Sequence, residues 1–225
     1  MSFLLNIDTS TSKAFISISE NELPIDTIYN YNQKEHAGFI HTAIEELLFK
    51  NNIKLHQLSA IVVSAGPGSY TGLRVGLSSA KGLCYALNIP LIAINTLELL
   101  ANDLINNTEG SDTTLYCPMI DARRMEVFTA VYTHELLPIL EPQSFILDSD
   151  SFNSLLGEKR ILTTGDGSSK FHEIKSHPNL QELESYNLPN SLSKLGFKRF
   201  ANQEFNDLST TEPIYIKDFF NEKLI

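Results

Sequence analysis

Apolar residues along this chain recur with two spacings, and the switches between them outline the fold. Residues 3–7, 14–18 and 25–31 are short runs of Leu, Ile, Phe and Tyr, separated by polar turns at 8–12 and 21–22. Such runs between turn residues predict three consecutive strands. From residue 35 to 50 the period changes, with Ile40, Ala43, Ile44, Leu47 and Leu48 falling on one side of a helix. Ile61, Val62 and Val63 then form a buried β-branched strand, which Gly66-Pro67-Gly68-Ser69 ends sharply. A helix follows from residue 71, placing Leu73, Leu77, Ala80, Cys84 and Leu87 on one face. Residues 91–94 read as a strand, and Thr96 is a cap for a helix over 97–105. The order is three strands, helix, strand, helix, strand, helix.

Residues 106–112 are polar and include Gly110, which sets the expected division of the chain into 1–106 and 107–225. Beyond it the opening pattern returns. Ile7-Asp8 is followed after six residues by Phe15, and Ile120-Asp121 after six by Phe128. Both pairs sit in a strand-turn-strand context, which predicts an internal duplication. The second half is sparser: a strand over 139–146, a short helix over 149–156, a strand over 161–164, and a helix over 192–200. Residues 170–189 show little periodicity and are expected to be loop.

The helix from residue 71 has a second face made of Gly72, Gly76 and Ser79, with Gly82 and Ala86 nearby. A glycine inside a helix costs about 1 kcal/mol against alanine, so several in one helix require close approach of something else. Two readings stand for the turn before it, a phosphate cradle or a tight turn with close packing. Neither GxxxxGK[ST] nor GxGxxG is present, since Lys81 lies deep in the helix.

Composition narrows the function. The net charge of −10, from 27 acidic against 17 basic residues, opposes long-range attraction to a phosphate backbone. The two cysteines, Cys84 and Cys117, fall in apolar elements and are expected to be reduced core residues. The opening MSFLLNIDTS has no basic start, and Asp8 interrupts its apolar run, so a cytoplasmic chain without signal peptide or membrane span is expected. Of the six histidines, His36 and His41 lie about 500° apart around a helix and cannot pinch one metal. No metal site and no cofactor is expected.

AGPGSYTGLRVGLSSAKGL resembles the signature of the TsaB (YeaZ) family, the paralogues of the tRNA-modifying enzyme TsaD. Leu4 to Asp8, the DAR at Asp121–Arg123 and the closing TEPIYIKDFF resemble the same family. The resemblance implies an α/β, actin-like duplicated fold with a reduced second half, of the superfamily that includes sugar kinases and Hsp70-like ATPases. It implies a non-catalytic scaffold or activator of TsaD in threonylcarbamoyladenosine synthesis at position 37 of ANN-decoding tRNAs. TsaD and TsaE would be partners, a homodimer would form in isolation, and tRNA would be met only through the complex. TsaD-like catalysts carry an HxxxH metal motif after the glycine-rich helix; here roughly Thr96 and Leu100 occupy those positions, and neither residue makes a zinc ligand set. By analogy with the superfamily, Asp8, Thr9 and Ser10 on one hairpin and Asp121 and Arg123 on the other are candidate nucleotide contacts. The simpler reading of both hairpins is a polar turn bonding its own backbone. The expected partner surface comprises His36, Phe39, Ala43, Gly72, Leu73, Gly76, Ser79 and Ala80. The rival reading is a stand-alone ATPase, kinase or metallopeptidase.

Overall fold

A computed structural model of the chain describes residues 1–32, 36–184 and 187–217. Strands β1 (Phe3–Asp8), β2 (Ala14–Glu20) and β3 (Leu23–Asn30) are followed by α1 (His36–Lys50), β4 (Leu58–Gly66), α2 (Tyr70–Leu87), β5 (Leu91–Asn95) and α3 (Thr96–Asn107). The same succession then repeats. It runs β6 (Thr114–Asp121), β7 (Glu126–Tyr132), β8 (Pro138–Ile146), α4 (Asn153–Leu156), β9 (Arg160–Thr164), α5 (Ser168–Ile174), β10 (Leu180–Glu182) and α6 (Leu188–Ala201).

The sheets have matching orders, β3-β2-β1-β4-β5 and β8-β7-β6-β9-β10. In each, the first strand is antiparallel to the second and parallel to the fourth. This is a duplicated actin-like α/β fold. Its second copy is reduced: α4 has 4 residues where α1 has 15, and α5 has 7 where α2 has 18.

Helices α1 and α2 cover one face of the first sheet, packing Ile40, Leu47, Leu77 and Cys84 on Leu5, Ile7, Ile16 and Ile18. The opposite face is covered by a helix from the other half. Leu192 and Leu195 of α6 lie on Leu4, Phe15, Ala60 and Val62. α3 makes the reciprocal move, packing Leu97, Leu100 and Leu104 against Tyr116, Ile120 and Leu162 of the second sheet. Burying one such Leu contributes about 1.5–3 kcal/mol, so the exchanged helices hold the halves firmly at their base. Asp103 reinforces the exchange: its Oδ1 accepts from Asn187 N at 3.1 Å and Ser191 Oγ at 2.9 Å, tying α3 to the start of α6.

Two sequence expectations are corrected. Residues 170–189 contain most of α5, all of β10 and the opening of α6. α5 and β10 are too short to display a period, and α6 begins with Pro189 in its first turn, where a missing N–H costs nothing. The recurrence of the opening motif is also offset by one residue. Asp8 faces Phe15 across β1–β2, whereas Asp121 faces Val127 across β6–β7. The duplication is therefore of strand order, with a tighter second turn. No helix among the described residues is long and apolar enough to cross a membrane.

Candidate functional site

The end of β1 and the start of α2 are sewn together at the glycine-rich junction. Asp8 is 1% exposed, and its Oδ1 accepts from Ser10 N at 2.9 Å, Ser10 Oγ at 2.6 Å and Ser64 Oγ at 2.5 Å. Its Oδ2 has no hydrogen-bond partner among the described residues. Ser69 caps α2, its own N–H reaching Ser10 O at 2.6 Å. Thr9 Oγ1 donates to Gly72 O at 2.7 Å. The glycines are required by this approach: a Cβ at Gly68 would strike the Ser10 carbonyl, and one at Gly72 the Thr9 carbonyl. A Cβ at Gly66 would lie 2.6 Å from Ile214 O, and Gly66 also has φ +116°. Backbone carbonyls thus take the space that side chains at these glycines would need, while Gly68, Ser69 and Tyr70 still line open space on their other side. Close packing is one role of this turn that the geometry shows directly.

The second hairpin repeats the Asx turn in a more open setting. Asp121 Oδ1 accepts from Arg123 N at 2.5 Å, as Asp8 does from Ser10, and also pairs with Lys170 Nζ at 2.7 Å. Partial burial opposes its charge, but Lys170 and the Arg123 N–H outweigh that and hold its pKa below the usual carboxylate range. Arg123 and Arg124 both have left-handed backbones, at φ 72° and 50°. Two such residues in succession make the tight turn that shortens this hairpin.

A cleft of about 850 Å³ separates the two hairpins, with Ser10 and Tyr70 on one wall and Asp121, Arg123 and Phe128 on the other. The chain's own Tyr215 also lines it. Of the sequence-derived candidates, Ser10, Asp121 and Arg123 therefore share one cavity. Asp8 and Thr9 lie behind it, both buried and engaged in the turn.

The expected partner surface divides. Ala43, Leu73 and Ala80 are buried in this chain's own core, and Gly72 and Gly76 face Thr9. The expectation that the Gly72–Gly76 side is left over for a partner is thereby corrected: the β1–β2 turn takes it. Phe39 and Ser79 are half-buried, and the side chain of His36 lies outside the described residues. The surface the periodicity did not single out is the outer ridge of α1 and α2. Phe49 is 88% and Tyr85 84% exposed, and nothing lies within 4 Å of a Cβ placed at Gly38 or Gly82. An aromatic at Tyr85, among Arg74, Ser78 and Gly82 on the polar side of the helix, was the available signal.

Thr96 is 1% and Leu100 3% exposed, the latter within the α3–β6 core. Among the described residues no three His, Cys, Asp or Glu gather as a metal ligand set.

Two copies of one strand order, joined through exchanged helices and facing each other across a cleft, define an actin-like protein whose glycine junction packs against its own β1–β2 turn. The family model for TsaD, tRNA N6-adenosine threonylcarbamoyltransferase, matches residues 29–141. The tRNA threonylcarbamoyladenosine biosynthesis protein TsaB of Bacillus subtilis (strain 168) is 34% identical over 169 residues, covering 74% of this chain and 72% of that one. A tRNA N6-adenosine threonylcarbamoyltransferase of Legionella pneumophila (strain Corby) is 43% identical over 65 residues, which are 29% of this chain and 20% of that one. A crystal structure from Pseudomonas aeruginosa, of an uncharacterized protein with similarity to peptidase YEAZ, superposes with a TM-score of 0.80. It is 23% identical and covers 96% of this chain and 100% of its own, a likeness of fold. The chain belongs to the TsaB (YeaZ) family.

Proposed function

We propose that this chain is a non-catalytic scaffold and activator of a TsaD-type transferase in threonylcarbamoyladenosine synthesis at position 37 of ANN-decoding tRNAs. TsaE completes the complex, and the chain forms a homodimer when alone. The observation that carries this reading is the state of the positions where, by resemblance, the transferase binds its metal. Thr96 and Leu100 are buried, and Leu100 is spent on packing between the halves. The packing of the glycine junction on Thr9 and Ser10 supports the same reading, since it gives these glycines a structural reason. A net charge of −10 gives the chain no electrostatic hold on tRNA by itself. Its contribution then passes through differential binding to the catalytic partner's conformations.

The contact surface we assign to the partner, and to the second copy in the homodimer, is the outer ridge around Tyr85, Gly82 and Phe49, beside Phe39 and Ser79 at the α1–α2 seam. Aromatic residues, Tyr among them, are enriched at the centres of interfaces. Gly76→Leu is a poor probe of association, because its side chain would enter the space of Thr9 Oγ1 and Ile7. Gly82→Leu puts its side chain into open space and leaves the core alone. TsaD, TsaE, threonylcarbamoyl-adenylate and tRNA should give little sustained modification without this chain and full modification with it, while Gly82→Leu should fail to restore it. Full modification in the chain's absence, or tight tRNA binding by this chain alone at physiological salt, defeats the proposal.

A further inference from the structure

After α6 the chain returns across the molecule as an extended segment with contacts on both halves. Asn206 pins it to the edge of the first sheet: Asn206 N donates to Leu91 O at 2.9 Å, and Asn206 Oδ1 accepts from Ala93 N at 2.8 Å. Asp207 Oδ1 then closes a turn by accepting from Ser209 N at 2.8 Å and Thr210 N at 2.9 Å. Further along, Thr211 O accepts from Lys81 Nζ at 2.9 Å, and Ile214 N donates to Ala65 O at 2.7 Å. Arg74 is clamped between two rings: its Nε donates to Tyr215 OH at 2.9 Å, and its guanidinium lies 3.8 Å from the Tyr70 centroid. The Tyr70 and Tyr215 rings are 5.3 Å apart. The segment then leaves the first half. Ile216 joins the core between α3 and β6, and Lys217 forms an ion pair with Glu126 at the start of β7.

We propose that residues 206–217 are a latch that sets the width of the cleft by tying α2 to β7 across its mouth. The exchanged helices fix the halves at the base, while at the mouth the two hairpins face each other across about 850 Å³ of open space. The latch crosses there, with Tyr215 lining the cleft itself. Its grip is graded. The Ile214 hydrogen bond and the Arg74 clamp hold it on the first half; on the second, among the described residues, Ile216 packs on the α3–β6 core and the Lys217–Glu126 pair has side chains 45% and 18% exposed. An ion pair that exposed is weak and screened by salt, so this end opens most readily. Helix α2 holds the latch through Arg74 and Lys81, two turns apart, while Gly82 and Tyr85 of the same helix stay exposed.

The test is a distance measurement across the cleft in the full chain. Cys84 and Cys117 are buried, and burial raises both thiols to about 12, so a spin label attaches selectively to cysteines introduced at exposed Ser78 and Ser154. In this background, Tyr215→Ala should move the distance distribution to longer, broader values and raise the open population roughly three- to tenfold, the scale of one stacked cation and its hydrogen bond. Glu126→Gln should shift it less, in the same direction. Raising salt from about 0.1 to 1 M should reproduce the Glu126→Gln shift in the otherwise unaltered latch, because screening shortens from about 10 to 3 Å. If Tyr215→Ala does not fold, the Glu126→Gln and salt arms decide the matter. Unchanged distances in folded Glu126→Gln and at high salt overturn the latch.

Discussion

Alanine in place of two glycines of α2 should change stability in opposite directions. At Gly82 a Cβ meets nothing within 4 Å. Gly82→Ala therefore gains helix propensity alone, stabilising the protein by about 0.5–1 kcal/mol. At Gly72 the same methyl would enter the space of the Thr9 carbonyl, whose backbone is fixed between β1 and the Asp8 turn. Overpacking against rigid groups costs about 1–3 kcal/mol. Displacing the helix start also strains the 2.7 Å hydrogen bond from Thr9 Oγ1 to Gly72 O, worth about 1 kcal/mol. Set against the propensity gain of about 1 kcal/mol, Gly72→Ala should be destabilising by roughly 1–3 kcal/mol. Urea unfolding followed by far-ultraviolet circular dichroism reads both from the midpoint shift at unchanged slope. Equal signs for the two variants, or a stabilised Gly72→Ala, would refute the account of why glycine stands at this junction.

Both cysteine thiols, held up at about 12 by burial, should resist a disulfide reagent at pH 8 in the native chain and react together once it is unfolded. Prompt native reaction would contradict their burial. Asp207, held down at about 2 by the Ser209 and Thr210 hydroxyls and amides, should stabilise its turn fully above the ordinary value of 3.8 and lose that contribution as pH falls towards 2. A carboxyl chemical-shift midpoint near 3.8 would deny it. Asp103→Ala should cost roughly 2–4 kcal/mol, because it strands Ser191 Oγ and the Asn187 amide inside the α3–α6 contact. Asp103→Asn, which keeps an acceptor, should recover about half of that in the same unfolding assay.

The first half was legible because its elements are long enough to show a period. β4 and α2 present apolar runs and stripes bounded by Gly-Pro-Gly-Ser; α2 starts one residue before the pattern, and β4 extends three residues beyond 61–63 at each end. The second half has lost that signal along with its length: three residues of β10 carry no alternation. The candidate cleft was half legible. Asp8 and Asp121 were visible as repeated strand-end carboxylates, but nothing local says that one is buried and the other partly exposed. Close approach, which the small residues of α2 led one to expect, holds at Gly72 and Gly76 but not at Gly82, and the occupant there is Thr9, more than sixty residues earlier in the chain. The polar, unpatterned 206–217 gave no sign of its path over α2, because that path is made of backbone bonds and a ring clamp rather than a periodic apolar face.

The unequal sizes of the two copies follow from which surfaces each still has to cover. In the first copy α1 and α2 protect a sheet whose other face lies under α6, so its central strands are buried on both sides and both layers must stay complete. In the second copy, α3 covers one face, and short α4 and α5 suffice for the other through Phe152, Leu156 and Phe171. Phe152 stacks on Phe145 with centroids 4.9 Å apart, and Phe171 meets its edge at 5.6 Å, so three rings do the covering that longer helices do in the first copy. What the second copy could not shed is α6, which roofs the first sheet, and β7, whose Glu126 receives the end of the latch. The reduced half has kept the elements by which it acts on the complete one.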